Sequence, residues 1–147
     1  NEAMPYHVVD LIVEGLSVSG KSLRGARVLV LGVAFKPNIG DPRNSPAERV
    51  IELLLRRGAD VCYHDPFVQT YRVGGNVFHA EALTLESVPL NEETLNATDA
   101  VVIVTSHRVV DYGMILKHAS LVIDSRNVTQ GLTGKAKVIR LGAPLPV

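Results

Sequence analysis

Short apolar runs alternate along this chain with amphipathic segments, and the alternation predicts an α/β fold. The runs at residues 27–32, 99–105 and 121–124 are apolar at almost every position. Strands buried on both faces of a parallel sheet have this pattern. Between the runs lie segments with helical spacing, and such an order is typical of an open, mostly parallel sheet with helices on both faces. The sequence therefore predicts a Rossmann-like domain.

A βαβ unit is predicted between residues 27 and 64, with a right-handed crossover. Its helix begins after Ser45, which is a favourable N-cap, and Pro46 suits the first helical position. Glu48 stands where a capping box places its acidic residue. Gly58 ends the helix. This unit makes residues 27–32 and 59–64 neighbouring strands.

The remaining elements follow from the same patterns, although the segment from residue 67 to residue 91 is less regular. An opening helix is predicted over residues 4–18, where Val8, Ile12 and Leu16 share one face. The other predictions are a short strand at 76–79, a short helix at 90–96, a strand at 99–105, a helix at 112–118, and strands at 121–124 and 137–141.

Composition narrows the classes of protein that fit. The 147 residues suit one domain, and fifteen basic residues balance fifteen acidic ones, which argues against a general nucleic-acid binder. The apolar runs are too short to span a membrane. Cys62 is the only cysteine, so it excludes an intrachain disulfide and fits a reducing, cytoplasmic compartment. The chain begins without methionine, as an excised fragment or a processed chain would.

The segment from residue 32 to residue 46 is the strongest candidate site. It joins a buried strand to a helix N-terminus, and such loops commonly bind phosphate groups. Lys36 and Arg43 add two cations to the backbone donors. The residues alone leave a second interpretation open, in which Lys36 is simply solvated and Arg43 pairs with Asp41.

Two familiar nucleotide motifs are absent from this segment. The dinucleotide fingerprint would require glycine at positions 34 and 37, which hold Ala34 and Pro37. A phosphate-binding loop of the Walker type would place a lysine next to serine or threonine after a glycine, and Lys36 has no such neighbour.

Polar clusters follow two later strands, at residues 105–108 and 124–127. Open α/β sheets bind ligands beyond the carboxyl ends of their strands, so Arg126 is expected to face the same crevice as Lys36. The alternative is that Asp124 and Arg126 form a surface ion pair worth about 0–1 kcal/mol. The histidines at 64, 79, 107 and 118 lack metal-ligand spacing and are predicted to be ordinary surface or strand-end residues.

No residue pattern in the chain predicts catalysis. Cys62 lies in the middle of an apolar strand, where a buried and inert thiol is expected. The pattern shows neither a nucleophile beside a histidine nor a general acid–base pair. We therefore predict no catalytic residue and no metal site.

Three motifs resemble the C-terminal, UDP-binding domain of the UDP-glucose/GDP-mannose dehydrogenase family. They are Gly-Val-Ala-Phe-Lys-Pro-Asn-Ile-Gly-Asp-Pro-Arg-Asn-Ser-Pro at 32–46, Tyr-His-Asp-Pro at 63–66 and Asp-Ser-Arg-Asn at 124–127. Residues 1–24 resemble the end of the long central linker helix of the family with its connector, which leaves 25–147 as the UDP-binding domain. The resemblance covers nearly the whole chain.

The resemblance implies a role in an NAD-dependent enzyme that oxidises the C6 hydroxyl of a nucleotide sugar to a carboxylate in two steps, as in polysaccharide biosynthesis. It implies that Phe35, Lys36 and Arg126 contact the UDP-sugar and that Arg43 reaches NAD. UDP-GlcNAc or UDP-ManNAc is favoured as substrate, with UDP-glucose as the other option. The full-length protein would be a homodimer or larger. The family's catalytic cysteine motif and NAD domain are absent here, so this chain alone is expected to be inactive.

Two other functions remain open from the sequence alone. One is a stand-alone regulatory or interaction domain that has kept the fold and lost its ligand. The other is a response-regulator-like or flavin-binding domain, in which Asp65 would be the phosphoacceptor. Pro66 and the lack of an acidic pair after the first strand argue against the latter.

Overall fold

Four helices and seven strands make up residues 3–141, the part of the chain that the computed structural model describes. In chain order they are α1 (Met4–Val18), β1 (Arg27–Leu31), α2 (Pro46–Arg56), β2 (Asp60–His64), β3 (Thr70–Val73), β4 (Leu83–Glu86), α3 (Glu92–Asn96), β5 (Ala100–Ile103), α4 (Tyr112–His118), β6 (Leu121–Asp124) and β7 (Lys137–Arg140).

The main sheet has the strand order β2-β1-β5-β6-β7, and all of its neighbouring strands are parallel. The strand order reverses direction between β1 and β5. In open α/β sheets, ligands bind at such a reversal, beyond the carboxyl ends of the strands. The parallel sheet predicted from the apolar runs is confirmed, and its reversal lies beside the candidate loop.

Alternate residues of each central strand face opposite layers of helices, because successive side chains of a strand point to opposite faces. In β1, Val28 and Val30 are buried in one cluster with residues of α1 and α2. Leu29 and Leu31 are buried in a second cluster with Leu95 of α3 and residues of α4. Helices therefore cover both faces, as the sequence predicts.

The start of α2 shows both a confirmed and a wrong prediction. Ser45 caps the helix, because its hydroxyl accepts a hydrogen bond from the Ala47 backbone N–H at 3.1 Å. Glu48 does not complete the capping box. Its carboxylate lies toward the segment after β3, where it accepts hydrogen bonds from the Gly74 backbone N–H and from Asn76.

The segment between β2 and α3 forms a two-stranded antiparallel sheet of β3 and β4, which the sequence pattern did not predict. The strand predicted at residues 76–79 is wrong. Asn76 instead accepts hydrogen bonds on its Oδ1 atom from the backbone N–H groups of Phe78 and His79. These bonds use backbone N–H groups that a strand would donate to its neighbour, so the segment forms a turn instead.

The helices among residues 3–141 all lack the length and apolar character that crossing a membrane would require.

Candidate functional site

Three loops follow the carboxyl ends of the central strands: the β1 loop (residues 32–45), the β5 loop (residues 104–111) and the β6 loop (residues 125–136). The first two are in direct contact at Gly32, whose φ is +86°. A Cβ atom at this position would lie 2.2 Å from the carbonyl oxygen of Thr105. The Thr105 hydroxyl also donates to the Ala34 carbonyl oxygen at 2.6 Å. Only glycine tolerates this close approach, so Gly32 allows the start of the β1 loop to contact the β5 loop.

Asp65, which directly follows β2, binds the backbone at the start of the β1 loop. Its carboxylate is buried, and Oδ2 accepts hydrogen bonds from the backbone N–H groups of Val33 at 2.8 Å and Ala34 at 3.1 Å. Oδ1 accepts from the Phe67 N–H at 2.8 Å. A phosphoacceptor must be accessible to its donor, so this buried carboxylate does not support the response-regulator interpretation.

His107 completes the network and is not the ordinary surface or strand-end residue that was predicted. It is 1% exposed, and its Nε2 atom lies 2.8 Å from Oδ2 of Asp65. Its Nδ1 atom accepts a hydrogen bond from the Asn38 backbone N–H at 2.7 Å. The ring also packs against the Phe67 ring in a T-shaped arrangement. The imidazole therefore joins the β1 loop, the β5 loop and the end of β2.

Phe35 and Lys36 lie on the outer surface of the β1 loop, next to each other. Phe35 is 49% exposed, and the Lys36 Nζ atom lies 5.6 Å from the centroid of its ring. Behind them, the Phe35 N–H donates to the Asp41 carbonyl oxygen at 2.6 Å and closes the loop. Among the described residues, Lys36 has no hydrogen bond or ion pair to an acidic group.

Arg43 pairs with Asp41, as the second interpretation of the loop proposed. Its Nε and Nη2 atoms donate to the two carboxylate oxygens at 2.9 and 2.8 Å. The hydrogen bonds from Arg43 lower the pKa of Asp41 to about 2. The arginine side chain remains 84% exposed, so the pair lies on the surface and leaves Nη1 available.

Asp124 and Arg126 do not form the surface ion pair that was the alternative for them. Asp124 is buried, and it accepts hydrogen bonds from the backbone N–H groups of Arg126, Val128 and Thr129 and from the Thr129 hydroxyl. Burial alone would raise the pKa of this carboxyl, but the hydrogen bonds outweigh it and the pKa lies below its ordinary value. The Arg126 side chain is exposed and, among the described residues, has no hydrogen-bond or ion-pair partner.

Asp124→Asn should weaken the fold most at neutral pH. Because the folded-state pKa of Asp124 lies below its unfolded value, its stabilisation is present above the unfolded pKa, about 3.9, and is lost as pH falls through the folded value. We expect a loss of about 2 kcal/mol in unfolding free energy at pH 7. In urea denaturation the gap from wild type should shrink below about pH 4. The exposed Asp10→Asn is the control, and a gap independent of pH would contradict this account.

Asparagine occupies each position in these loops where a residue other than glycine has a left-handed backbone. The φ angles are +67° at Asn38, +60° at Asn44 and +62° at Asn127. Asparagine adopts this conformation more readily than other residues with a side chain, because its short polar group can form local hydrogen bonds. The asparagines of the motifs therefore serve the shape of the loops.

The structure brings three of the four predicted site residues into one loop. The β1 loop contains Phe35, Lys36 and Arg43. Arg126 lies two strands away, at the same edge of the sheet. Among the described residues, no hydrogen bond links Arg126 to the other three. All four side chains are exposed, so this edge is an open surface.

Other candidate chemistry lies away from this edge. A cleft of about 500 Å³ beside β2 and α3 is lined by Arg27, Asp60 and Cys62 among others, and by none of the four predicted site residues. Cys62 is half-buried rather than buried as predicted, and burial raises the pKa of its thiol. Within residues 3–141, no group of three or more His, Cys, Asp or Glu side chains is placed to hold a metal ion.

Fold and site together define a doubly wound α/β domain with exposed cations beyond the carboxyl ends of its strands, where domains of this class bind ligands. Comparison with known sequences gives the family. A family model described as "UDP-glucose/GDP-mannose dehydrogenase family, UDP binding domain" matches residues 29–131. The chain therefore belongs to the UDP-glucose/GDP-mannose dehydrogenase family, within its UDP binding domain. The resemblance seen in the three motifs is confirmed.

Individual relatives cover two sugar specificities. The chain is 34% identical over 136 residues to UDP-glucose 6-dehydrogenase TuaD of Bacillus subtilis, covering 87% of this chain and 27% of that protein. It is 27% identical over 137 residues to UDP-N-acetyl-D-mannosamine dehydrogenase of Methanococcus vannielii, with coverages of 87% and 28%.

A solved structure supports the fold. UDP-D-ManNAc dehydrogenase of Pyrococcus horikoshii superimposes with a TM-score of 0.76 at 26% identity, over 97% of this chain and 31% of that one. The chain thus spans less than a third of the length of each of these relatives. The Rossmann-like fold predicted from the sequence is confirmed.

Proposed function

We propose that this chain binds the UDP portion of a nucleotide sugar at the carboxyl edge of its sheet. The observation that carries the proposal is a pair of exposed cations at one edge of the sheet of a UDP binding domain, Lys36 at the strand reversal and Arg126 after β6. Neither has an acidic partner among the described residues, so both are available to a diphosphate. Phe35 adds an exposed aromatic face beside Lys36, on which a uracil ring can stack.

The proposed enzyme is an NAD-dependent UDP-sugar 6-dehydrogenase in which this chain is the nucleotide-binding part. The relatives from Bacillus subtilis and Methanococcus vannielii are UDP-glucose and UDP-N-acetyl-D-mannosamine dehydrogenases. The residues at 32–46 and Ser125 resemble the N-acetylhexosamine branch of the family, which favours an N-acetylhexosamine over glucose. Residues 1–24 would be the end of a linker helix through which subunits assemble as a homodimer or larger. We place the enzyme in the cytoplasm, which the single cysteine favours.

Binding at this edge would serve catalysis by positioning. Interactions with the diphosphate and uracil, which do not react, would hold the sugar C6 against groups supplied from outside this chain. The edge is an open surface, so a second surface would have to cover it to exclude water. Such an arrangement fits a site shared between two domains.

Among the described residues, Arg43 is the contact that we propose for NAD. When bound, NAD would accept hydride. Arg43 holds Asp41 through Nε and Nη2, and its exposed Nη1 is free to donate to a phosphate. Asp41 fixes the direction of the guanidinium. The glycine fingerprint of a dinucleotide site is absent from the β1 loop, so the rest of the NAD contacts would come from elsewhere.

Titration of the purified chain with UDP by calorimetry tests the proposed function. Lys36→Ala should weaken UDP binding by about 1–3 kcal/mol, because it removes a charge-assisted hydrogen bond to phosphate. Lys117→Ala removes an exposed lysine on α4 and is the matched control, with wild-type affinity expected.

Two outcomes would contradict the proposal. Absence of wild-type binding at millimolar UDP would remove the nucleotide site. That result would favour a stand-alone interaction domain that has lost its ligand, whereas equal affinity of wild type and Lys36→Ala would exclude Lys36 as a phosphate contact.

A further inference from the structure

We infer that His107 is a positioning residue for the nucleotide, acting as a neutral imidazole that holds the β1 loop in the shape that presents Lys36. The inference rests on the proposed function for its nucleotide part. Its structural part rests on the contacts of His107, which belongs to the β5 loop and binds the β1 loop. His107 is distant in sequence from the predicted site residues.

The hydrogen bonds of His107 define where its proton lies. Nδ1 faces the Asn38 backbone N–H at 2.7 Å, and because an N–H only donates, Nδ1 must be the unprotonated acceptor. Nε2 faces Oδ2 of Asp65 at 2.8 Å, and that oxygen also accepts from the Val33 and Ala34 N–H groups. Nε2 therefore carries the proton. The neutral form with its proton on Nε2 satisfies both bonds, and the ring is 1% exposed, so water does not compete.

These bonds fix both ends of the short arch that carries Lys36. At one end, Ala34 is held by Asp65 through its N–H and by the Thr105 hydroxyl through its carbonyl. At the other end, the Asn38 backbone N–H donates to His107, and the Asn38 Oδ1 atom accepts from the Arg108 N–H at 2.7 Å. Only residues 35–37 lie between these anchors. Without the bond to His107, this end would be held by the Asn38 side chain alone, so Lys36 could move relative to the sheet.

No other common side chain reproduces both contacts of this ring. Asparagine places a polar atom near the Nδ1 position and can accept from Asn38, but it does not reach Asp65 as Nε2 does. Glutamine reaches the Nε2 position and can donate to Asp65, but it leaves the Asn38 N–H without its acceptor. The two substitutions therefore break the two bonds separately.

NMR of the ¹⁵N-labelled 147-residue chain tests the structural part without nucleotide. In mildly alkaline solution, the His107 ring should show a proton on Nε2 and an unprotonated Nδ1. The Asn38 amide should be protected from hydrogen exchange. In His107→Gln its exchange should rise by about tenfold or more, because the acceptor is gone. His7→Gln, an exposed residue of α1, is the control.

UDP titration of the same variants tests the nucleotide part. His107→Gln, which removes the acceptor of the Asn38 N–H, should bind UDP about tenfold more weakly than wild type while still folded. His107→Asn keeps that acceptor and should lose less affinity. A histidine that only stabilises the fold would lower the unfolding temperature and leave the Kd of folded molecules unchanged, which would overturn the positioning role. A proton on Nδ1, or unchanged Asn38 exchange in His107→Gln, would overturn the hydrogen-bond assignment.

Failure of wild type to bind UDP would overturn the proposed function and the nucleotide part of this inference. The ring tautomer and the Asn38 exchange would then still decide whether His107 holds the loop, so the two failures are distinguishable.

Discussion

Asp65→Asn is expected to lower the free energy of unfolding by about 3 kcal/mol, one of the two largest effects that we expect. The carboxylate accepts from three backbone N–H groups and from His107 in a buried site. An amide has one acceptor oxygen in place of two, and its NH₂ group would face a donor. At least one buried donor is then left without an acceptor, which removes the anchor of the β1 loop.

Urea denaturation followed by circular dichroism measures this loss, and Asp60→Asn is the matched control. Asp60 begins β2, the strand that Asp65 follows, and its side chain is 58% exposed and paired to Arg27. An exposed ion pair contributes about 0–1 kcal/mol, so the control should stay close to wild type. If both variants lost the same stability, the buried network would have no special role.

Gly32→Ala should also destabilise the chain by about 3 kcal/mol or more, because two effects combine at this position. The backbone φ of +86° is unfavourable for any residue with a Cβ. In addition, the new Cβ would lie 2.2 Å from the Thr105 carbonyl oxygen, so the β1 and β5 loops would have to separate. Thermal and urea denaturation give the size of the effect.

Gly20→Ala separates the two effects. Gly20 has a φ of +74°, but a Cβ atom at this position would meet no heavy atom within 4 Å beyond its chain neighbours. It should therefore lose only the conformational part, about 1 kcal/mol. If Gly32→Ala were no worse than Gly20→Ala, the contact with Thr105 would have to be looser than the structure shows.

The sequence predicts the central sheet well, because each of its strands carries its own local signal. The bounds of α1, α4 and β6 agree with the prediction, and the N-cap Ser45 is in place. The antiparallel pair β3 and β4 was missed, although Thr70–Val73 alternates exposed and buried residues. Four residues are too few for the period to stand out from the irregular segment around them.

The candidate site was predicted in its exposed part and missed in its buried part. Lys36 and Arg126 were recognised because exposed cations next to strand ends have a known chemistry. Asp65 and His107 are 42 residues apart, so no spacing rule connects them before the parallel pairing of β1 with β2 and β5 is known. The sequence did offer one local signal of this part of the site, Asn38, because asparagine often adopts the left-handed backbone conformation found there.

The anchoring of the β1 loop also determines how a binding surface of this kind can change. A mobile lid adapts to a new ligand by moving its backbone, but here Ala34 and Asn38 are tied to the sheet through Asp65 and His107. A new preference would therefore arise from exchanging exposed side chains on a fixed frame. Engineering of the proposed nucleotide-sugar site should keep the buried pair and vary the outward-facing positions 35, 36 and 39.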